Sequence, residues 1–252
     1  MIRRFTVLGV EVTDLTMAEA VALLERLIVE EGDRTHSVYF VNAHTLNTAS
    51  DDPDYRRVLQ RGDYVFGDGT GVRWATRFLH HERLQDNVNG TDLTPRFFAD
   101  TAGKGYRYYL LGTREDSIPR TAEFARHSFP GWEQVGYHHG YVQDPESSAE
   151  VIADINEKRP HLLLVGMGNP LQERWIDRNL EQLRVPVCMA IGGLFDYWSG
   201  ELTRAPAWVR SLGYEWLHLL VRQPHKARRY LLGNPHFLLR LAKAKALAKL
   251  AR

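Results

Sequence analysis

The sequence predicts an α/β protein: a doubly wound, mostly parallel sheet with a helical C-terminal appendage. Three observations carry that reading. Short apolar runs recur, Leu162 to Val165 the clearest, each breaking into glycine and then into an amphipathic charged segment; the order strand, tight loop, helix is the repeating unit of a parallel sheet. Polar and glycine-rich clusters follow the runs at their carboxyl ends, the edge where open α/β sheets bind ligands. The charge is unevenly divided: the net value is +1, yet Val209 to Arg252 holds ten Lys or Arg against one acid, Glu215, which leaves −8 on the 208 residues before it.

At 252 residues with 44% apolar content the chain can form one large domain with an appendage, here taken as a core over 1–203 and a basic helical segment over 204–252. The single cysteine, Cys188, lies inside the apolar run Val185 to Ile191, so a buried thiol in a reducing compartment is expected and a disulfide framework is excluded. The first residues, MIRRFTVLGVEVTDLT, are expected to be neither a signal peptide nor a membrane span, because their apolar run is short before Glu11 and Asp14. Cations interleaved with Leu, Trp and Tyr in the appendage suit an anionic lipid surface, less well nucleic acid; a solvated cationic helix is the alternative.

Taken in order, Phe5 to Val12 predicts a first strand. A helix over Thr16 to Glu31 follows, because Thr16 can cap it with Glu19 three residues on, and Val21, Leu24, Leu27 and Ile28 share a face. Ser37 to Val41 is a buried strand that runs into a polar cluster, Asn42 to Asn47. Asn42 can donate and accept toward a sugar or base edge, whereas His44 reads as a scaffold residue before it reads as a base. Asp51-Asp52-Pro53-Asp54 is helix-start chemistry, so Pro53 to Arg61 predicts a helix, and Tyr64 to Phe66 a strand stopping at Gly67-Asp68-Gly69. A carboxylate between two glycines at a strand tip can be approached closely, so Asp68 is the leading catalytic residue and Gly69 a substrate neighbour; the competing role for Asp68 is to cap the helix over Gly71 to Leu79.

The stretch Leu79 to Asp92 turns polar, as a loop over a ligand would, and Thr91 or Asp92 can cap a helix over Leu93 to Ala102. Gly105 to Leu111 is a strand closed by Gly112, with a helix through Phe124; Gly136 to Tyr141 is a short strand or turn, and Glu146 to Lys158 a helix. Leu162 to Ile176, LLLVGMGNPLQERWI, then gives strand, loop and helix, with Gly166 and Gly168 able to bring main-chain N–H groups to a phosphate. Gln172 and Glu173 in the first turn have no evident structural purpose and are assigned to substrate. Val187 to Ile191 ends in Gly192-Gly193, placed with Gly112, Gly166 and Gly168 against a nucleotide. Asp196 can bind a sugar hydroxyl or cap a turn, Arg204 can pair with a diphosphate, and Pro206 stands near a helix start.

Several chemistries are excluded. No Gly-x-x-x-x-Gly-Lys-Ser/Thr loop, no Gly-x-Gly-x-x-Gly after the first strand and no Gly-x-Ser-x-Gly elbow occurs. His80-His81 and His138-His139 are adjacent pairs, and adjacent side chains are expected to point apart on a helix or strand, which argues against a metal site.

The motifs VNAHTLN, GDGTGV, VNGTDL, LLLVGMGNPLQERWI and IGGLFDYWSGELTRAPAW, in that order, together resemble the WecG/TagA/CpsF glycosyltransferases. The resemblance implies a Rossmann-like core and metal-independent, inverting transfer from a UDP-sugar to a lipid-linked sugar at the inner membrane face. It also implies an appendage that docks on the membrane and completes the active site. It puts the family's base on Asp68, its pocket asparagine on Asn42 and its loop glutamine on Gln172, with Lys226, Arg228 and Arg229 in place of diphosphate-binding arginines. Phe40 and Asn87 depart from the family, standing where many members have Thr and Arg. The expected partners are thus a UDP-sugar donor, a lipid-linked sugar acceptor and an anionic membrane surface, with no nucleic acid, no cofactor and room for a homo-oligomer. The rival reading is a non-catalytic or redox nucleotide-binding protein with a basic oligomerisation tail.

Overall fold

The computed structural model describes residues 2–30, 34–204 and 231–250. Its strands are β1 (Arg3–Val7), β2 (Val10–Asp14), β3 (His36–Val41), β4 (Tyr64–Gly67), β5 (Arg107–Gly112), β6 (Glu133–His138), β7 (Leu162–Gly166) and β8 (Val187–Ala190). They form one sheet in the order β1-β2-β4-β3-β8-β7-β5-β6, and every pairing but β1 with β2 is parallel. The expected single strand over Phe5 to Val12 is therefore corrected to a hairpin. Leu8 and Gly9 both take positive φ, 50° and 83°, the twist that a two-residue hairpin turn needs to fold a strand back on its neighbour.

Ten helices are described: α1 (Met17–Val29), α2 (Ala43–Asp51), α3 (Pro53–Arg61), α4 (Thr70–His80), α5 (Gly90–Asp100), α6 (Ile118–Ser128), α7 (Pro145–Lys158), α8 (Leu171–Asn179), α9 (Leu194–Trp198) and α10 (Gly233–Leu250). The parallel strands are covered on both faces, so they read as unbroken apolar runs whose alternate residues serve opposite layers. Tyr39, Val41, Leu163 and Val165 pack with α2, α3, α7 and α8. Val38, Phe40, Leu162 and Leu164 pack with α1, α5, α6 and α9 on the other face.

Several helix starts are set by side chains the sequence identifies. Thr16 and Glu19 form the reciprocal capping box of α1, and Asp52 caps α3 by accepting the Tyr55 N–H at 2.9 Å. Two starts differ from expectation. The polar stretch after β3 is helical: Asn42 caps α2 by accepting the His44 and Thr45 N–H groups at 3.0 and 3.1 Å. Helix α5 begins at Gly90, with Asn89 rather than Thr91 or Asp92 as its cap, because the Asn89 side-chain Oδ1 accepts the Asp92 N–H at 2.9 Å.

The topology opens the carboxyl edge of the sheet. From β5 the chain leaves through α6 on one face, while from neighbouring β7 it leaves through α8 on the other; β3 and β8 diverge in the same way through α2 and α9. Loops that part to opposite faces leave a crevice between them.

Pro206, Lys226, Arg228 and Arg229 lie outside the described residues. Helix α10, within the expected appendage, packs against the core. Phe237 and Leu241 are buried with the α2 and α4 layer, each contributing about 2 kcal/mol of transfer free energy. Asn47 donates to the Gly233 carbonyl at 2.7 Å, and Arg240 donates to the Asn47 carbonyl at 2.6 Å and pairs with Asp51. No described helix is long and apolar enough to cross a membrane.

Candidate active site

The carboxyl ends of β3 and β4 lie side by side, since Val41 pairs with Gly67 in the parallel register. The next residues, Asn42 and Asp68, are thereby neighbours. The Asp68 N–H donates to the Val41 carbonyl at 2.8 Å, continuing the ladder one step beyond the strand. The Asn42 Nδ2 lies 3.4 Å from Asp68 Oδ2. Asn42 is fixed because its other amide atom caps α2, so a helix start aims an N–H donor at a half-buried carboxylate. The N-cap position of α4 is Gly69, one residue after Asp68.

Gly69 has φ +91° and ψ 166°, a region essentially reserved for glycine, and a Cβ there would meet nothing within 4 Å. Backbone conformation, not crowding, calls for glycine here, and the space beside Asp68 stays open. The Gly69 N–H donates to Asn87 Oδ1 at 2.6 Å, a contact that sequence reasoning missed.

The second half of the edge is built by β7, β8 and α8. Gln172 is 1% exposed and its Oε1 accepts the N–H groups of Gly168 and Gly192 at 3.1 and 3.2 Å. One amide oxygen thus joins the turns after two adjacent strands. Its Nε2 donates to Glu173 Oε1 at 2.8 Å, while Tyr55 Oη donates to Glu173 Oε2 at 3.1 Å and Asn169 Nδ2 bonds Oε1. The absence of a structural purpose for this amide and carboxylate is corrected: they stitch α8 to two loops and to α3. Glu173 is wholly buried, so in this structure its carboxyl does not face a substrate. The amides of Gly168 and Gly192, assigned to a nucleotide, are held by Gln172, and a diphosphate using them must displace that bond.

Gly112 and Gly166 are explained by packing. A Cβ on Gly112 would lie 2.3 Å from the Gly166 carbonyl oxygen, and one on Gly166 2.6 Å from the Phe195 ring; both are far inside contact distance. Gly168 and Gly192, with φ of 80° and 60°, have open space where a Cβ would stand. Asp196 lies on α9 beside the Gly192-Gly193 turn, its Oδ2 3.6 Å from where a Gly193 Cβ would be. Arg204 donates to Asp92 Oδ1 at 2.7 Å and to the Thr91 carbonyl at 3.4 Å, and lies over the Tyr197 ring. Its guanidinium is thereby engaged with α5 in this structure. Tyr197, Trp198, Phe124 and Leu202 wall an adjoining cavity of about 430 Å³. Among the described residues no three His, Cys, Asp or Glu side chains gather as a metal site.

Burial pushes the Glu173 carboxyl up to about 7, although Gln172, Tyr55 and Asn169 favour its charged form. Between its ordinary value of 4.5 and 7 the folded chain therefore holds a proton that the unfolded chain has lost. Stability from this group falls across that window as pH rises, by about 3 kcal/mol, and levels off above it. Urea denaturation from pH 4.5 to 8 should show Glu173→Gln losing that part of the slope; an unchanged slope would contradict the assignment.

Comparison with known proteins agrees with the geometry. The family profile described as Glycosyl transferase WecG/TagA/CpsF family matches residues 5–250. An N-acetylglucosaminyldiphosphoundecaprenol N-acetyl-beta-D-mannosaminyltransferase of Bacillus subtilis (strain 168) is 32% identical over 203 residues, 81% of this chain and 77% of that protein. A protein of the same name from Staphylococcus aureus (strain MW2) is 26% identical over 246 residues, 98% of this chain and 95% of its own length. With the family match running from β1 to the end of α10 and through both halves of the carboxyl edge, the chain belongs to the WecG/TagA/CpsF family and is a glycosyltransferase.

Proposed function

We propose that this enzyme moves N-acetylmannosamine from its UDP derivative to a sugar carried on polyprenyl diphosphate, with inversion and without a divalent ion. The sugars follow the names of its relatives. The observation that carries the mechanism is Asp68 at the tip of β4, with the Asn42 amide against its carboxylate and open space beside Gly69.

Inversion is one in-line displacement. The acceptor hydroxyl oxygen forms a bond to the anomeric carbon as the bond from that carbon to the UDP oxygen breaks. The hydroxyl proton passes to Asp68, and UDP leaves with the bonding electron pair. Asn42 steadies the carboxylate by its N–H and orients it toward the acceptor. The charge growing on the diphosphate falls, in this reading, to the glycine turns after β7 and β8 and to Lys226, Arg228 and Arg229. Asp196 and Arg204 line the acceptor side. A membrane-docked C-terminal segment at the inner face of the bacterial plasma membrane would bring these cations to the lipid acceptor and exclude water from the donor.

The test is UDP release over a panel of UDP-sugars with an N-acetylglucosaminyl-diphospho-prenol acceptor, with and without EDTA. Release should require the acceptor, be fastest with UDP-N-acetylmannosamine and persist in chelator. Loss of turnover in EDTA would overturn metal independence, and a faster donor would replace the sugar assignment.

A further inference from the structure

We infer that Asn87 is a positioning residue that sets the aim of Asp68 through the main chain; the inference rests on the reading of Asp68 as base. Asp68 is followed by a peptide whose conformation only glycine readily adopts. Gly69 is the N-cap of α4 and has no side chain with which to bond the helix. The Asn87 side-chain Oδ1 accepts the Gly69 N–H at 2.6 Å and so holds that peptide. Asn87 is remote in sequence, in the loop between α4 and α5, and can fix Gly69 only as firmly as that loop is itself fixed.

The loop is braced at each step. Leu84 is buried against Gly67, where an added Cβ would sit 2.7 Å from its Cδ1. The Gln85 N–H donates to Asp14 Oδ1 at 2.8 Å, which ties the loop to β2. Asp86 accepts the Met17 N–H at 3.1 Å through one oxygen and the Asn87 N–H at 2.8 Å through the other, and Val88 is buried. The brace therefore runs from β2 and the start of α1, through Asp86, to Asn87 and on to Gly69. Asp68 is held between this contact on its carboxyl side and the Val41 carbonyl on its own N–H. An amide suits the position for a second reason. It accepts a hydrogen bond without adding negative charge next to a carboxylate that must stay ionised to take a proton, whereas aspartate there would raise the Asp68 pKa by like-charge repulsion.

The experiment compares Asn87→Ala, Asn87→Asp and Asp68→Asn in the full-length enzyme, by kcat and KM for donor and acceptor, pH–rate profile and Tm. Asn87→Ala should lower kcat about tenfold, leave both KM values within about twofold and move Tm little, since one hydrogen bond at a loop is lost. Asn87→Asp keeps an acceptor for Gly69; it should recover part of kcat at high pH while shifting the acidic limb of the profile upward, a signature that a merely structural role would not produce. If Asp68→Asn abolishes transfer while Asn87→Ala turns over normally, the inference fails and the base assignment stands. A fall in Tm with both KM values raised and an unmoved pH profile would also overturn it, as a purely structural loss. If Asp68→Asn turns over normally, the base assignment fails and takes the inference with it.

Discussion

Asp68→Asn is expected to lower kcat for sugar transfer about a thousandfold while leaving the fold and UDP affinity unchanged. The substitution keeps the shape of the side chain and its contact with the Asn42 amide, and removes only the capacity to accept a proton. General bases contribute in the range of 10² to 10⁴, and three decades correspond to about 4 kcal/mol of barrier. The proposed binding surfaces on the β7 and β8 turns belong to other elements, so a UDP titration should give the wild-type affinity. Near-normal turnover by the variant, followed as UDP release, would remove Asp68 from the chemistry.

Gln172→Ala is expected to cost about 3 kcal/mol of stability. The side chain is buried and satisfies three groups at once: the N–H groups of Gly168 and Gly192 and the Glu173 carboxyl. Truncation leaves two turn amides without their acceptor and a buried acid short of one donor, each carrying a penalty of about 1 to 3 kcal/mol, partly relieved by water. The loss should appear in urea denaturation, with UDP affinity falling as a consequence of loosened turns. The sequence-based assignment of Gln172 to substrate predicts the reverse pattern, full stability with weak binding. The two outcomes separate a stitch between loops from a ligand contact.

What could be read from the sequence followed the apolar pattern. The strands β3, β5, β7 and β8 announce themselves because both faces are buried and the runs are short and uninterrupted; α1 and α3 do so through Thr16 and Asp52 at their starts. The hairpin of β1 and β2 was hidden because Leu8-Gly9 interrupts an apolar alternation by only two residues. Helix α2 was hidden because much of it is polar, and it is held by a cap at Asn42 and by the burial of Leu46 and Ala49. At the site, the carboxylate between two glycines singles out Asp68 and the polar cluster after β3 singles out Asn42; that the two are neighbours comes from the register of β3 and β4. Contacts across loops left no local signal. Asn87 meets Gly69 across eighteen positions, and Glu173 meets Tyr55 across 118. A buried network of that kind has no spacing rule, so Gln172 and Glu173 looked like binding groups when their visible work is to hold α8 against two turns. At Gly112 the close passage of β7 suffices to exclude a side chain, and at Gly166 the Phe195 ring does.

A crystal structure of the full-length enzyme with UDP tests the account most directly, because every assignment assumes that the nucleotide lies along the carboxyl edge of the sheet. The diphosphate is predicted beside the Gly168 and Gly192-Gly193 turns, with its sugar-bearing end directed toward Asp68 and Asn42. UDP bound instead at the amino ends of the strands, for example in the cavity of about 610 Å³ lined by Arg107, His161 and Arg184, would contradict it.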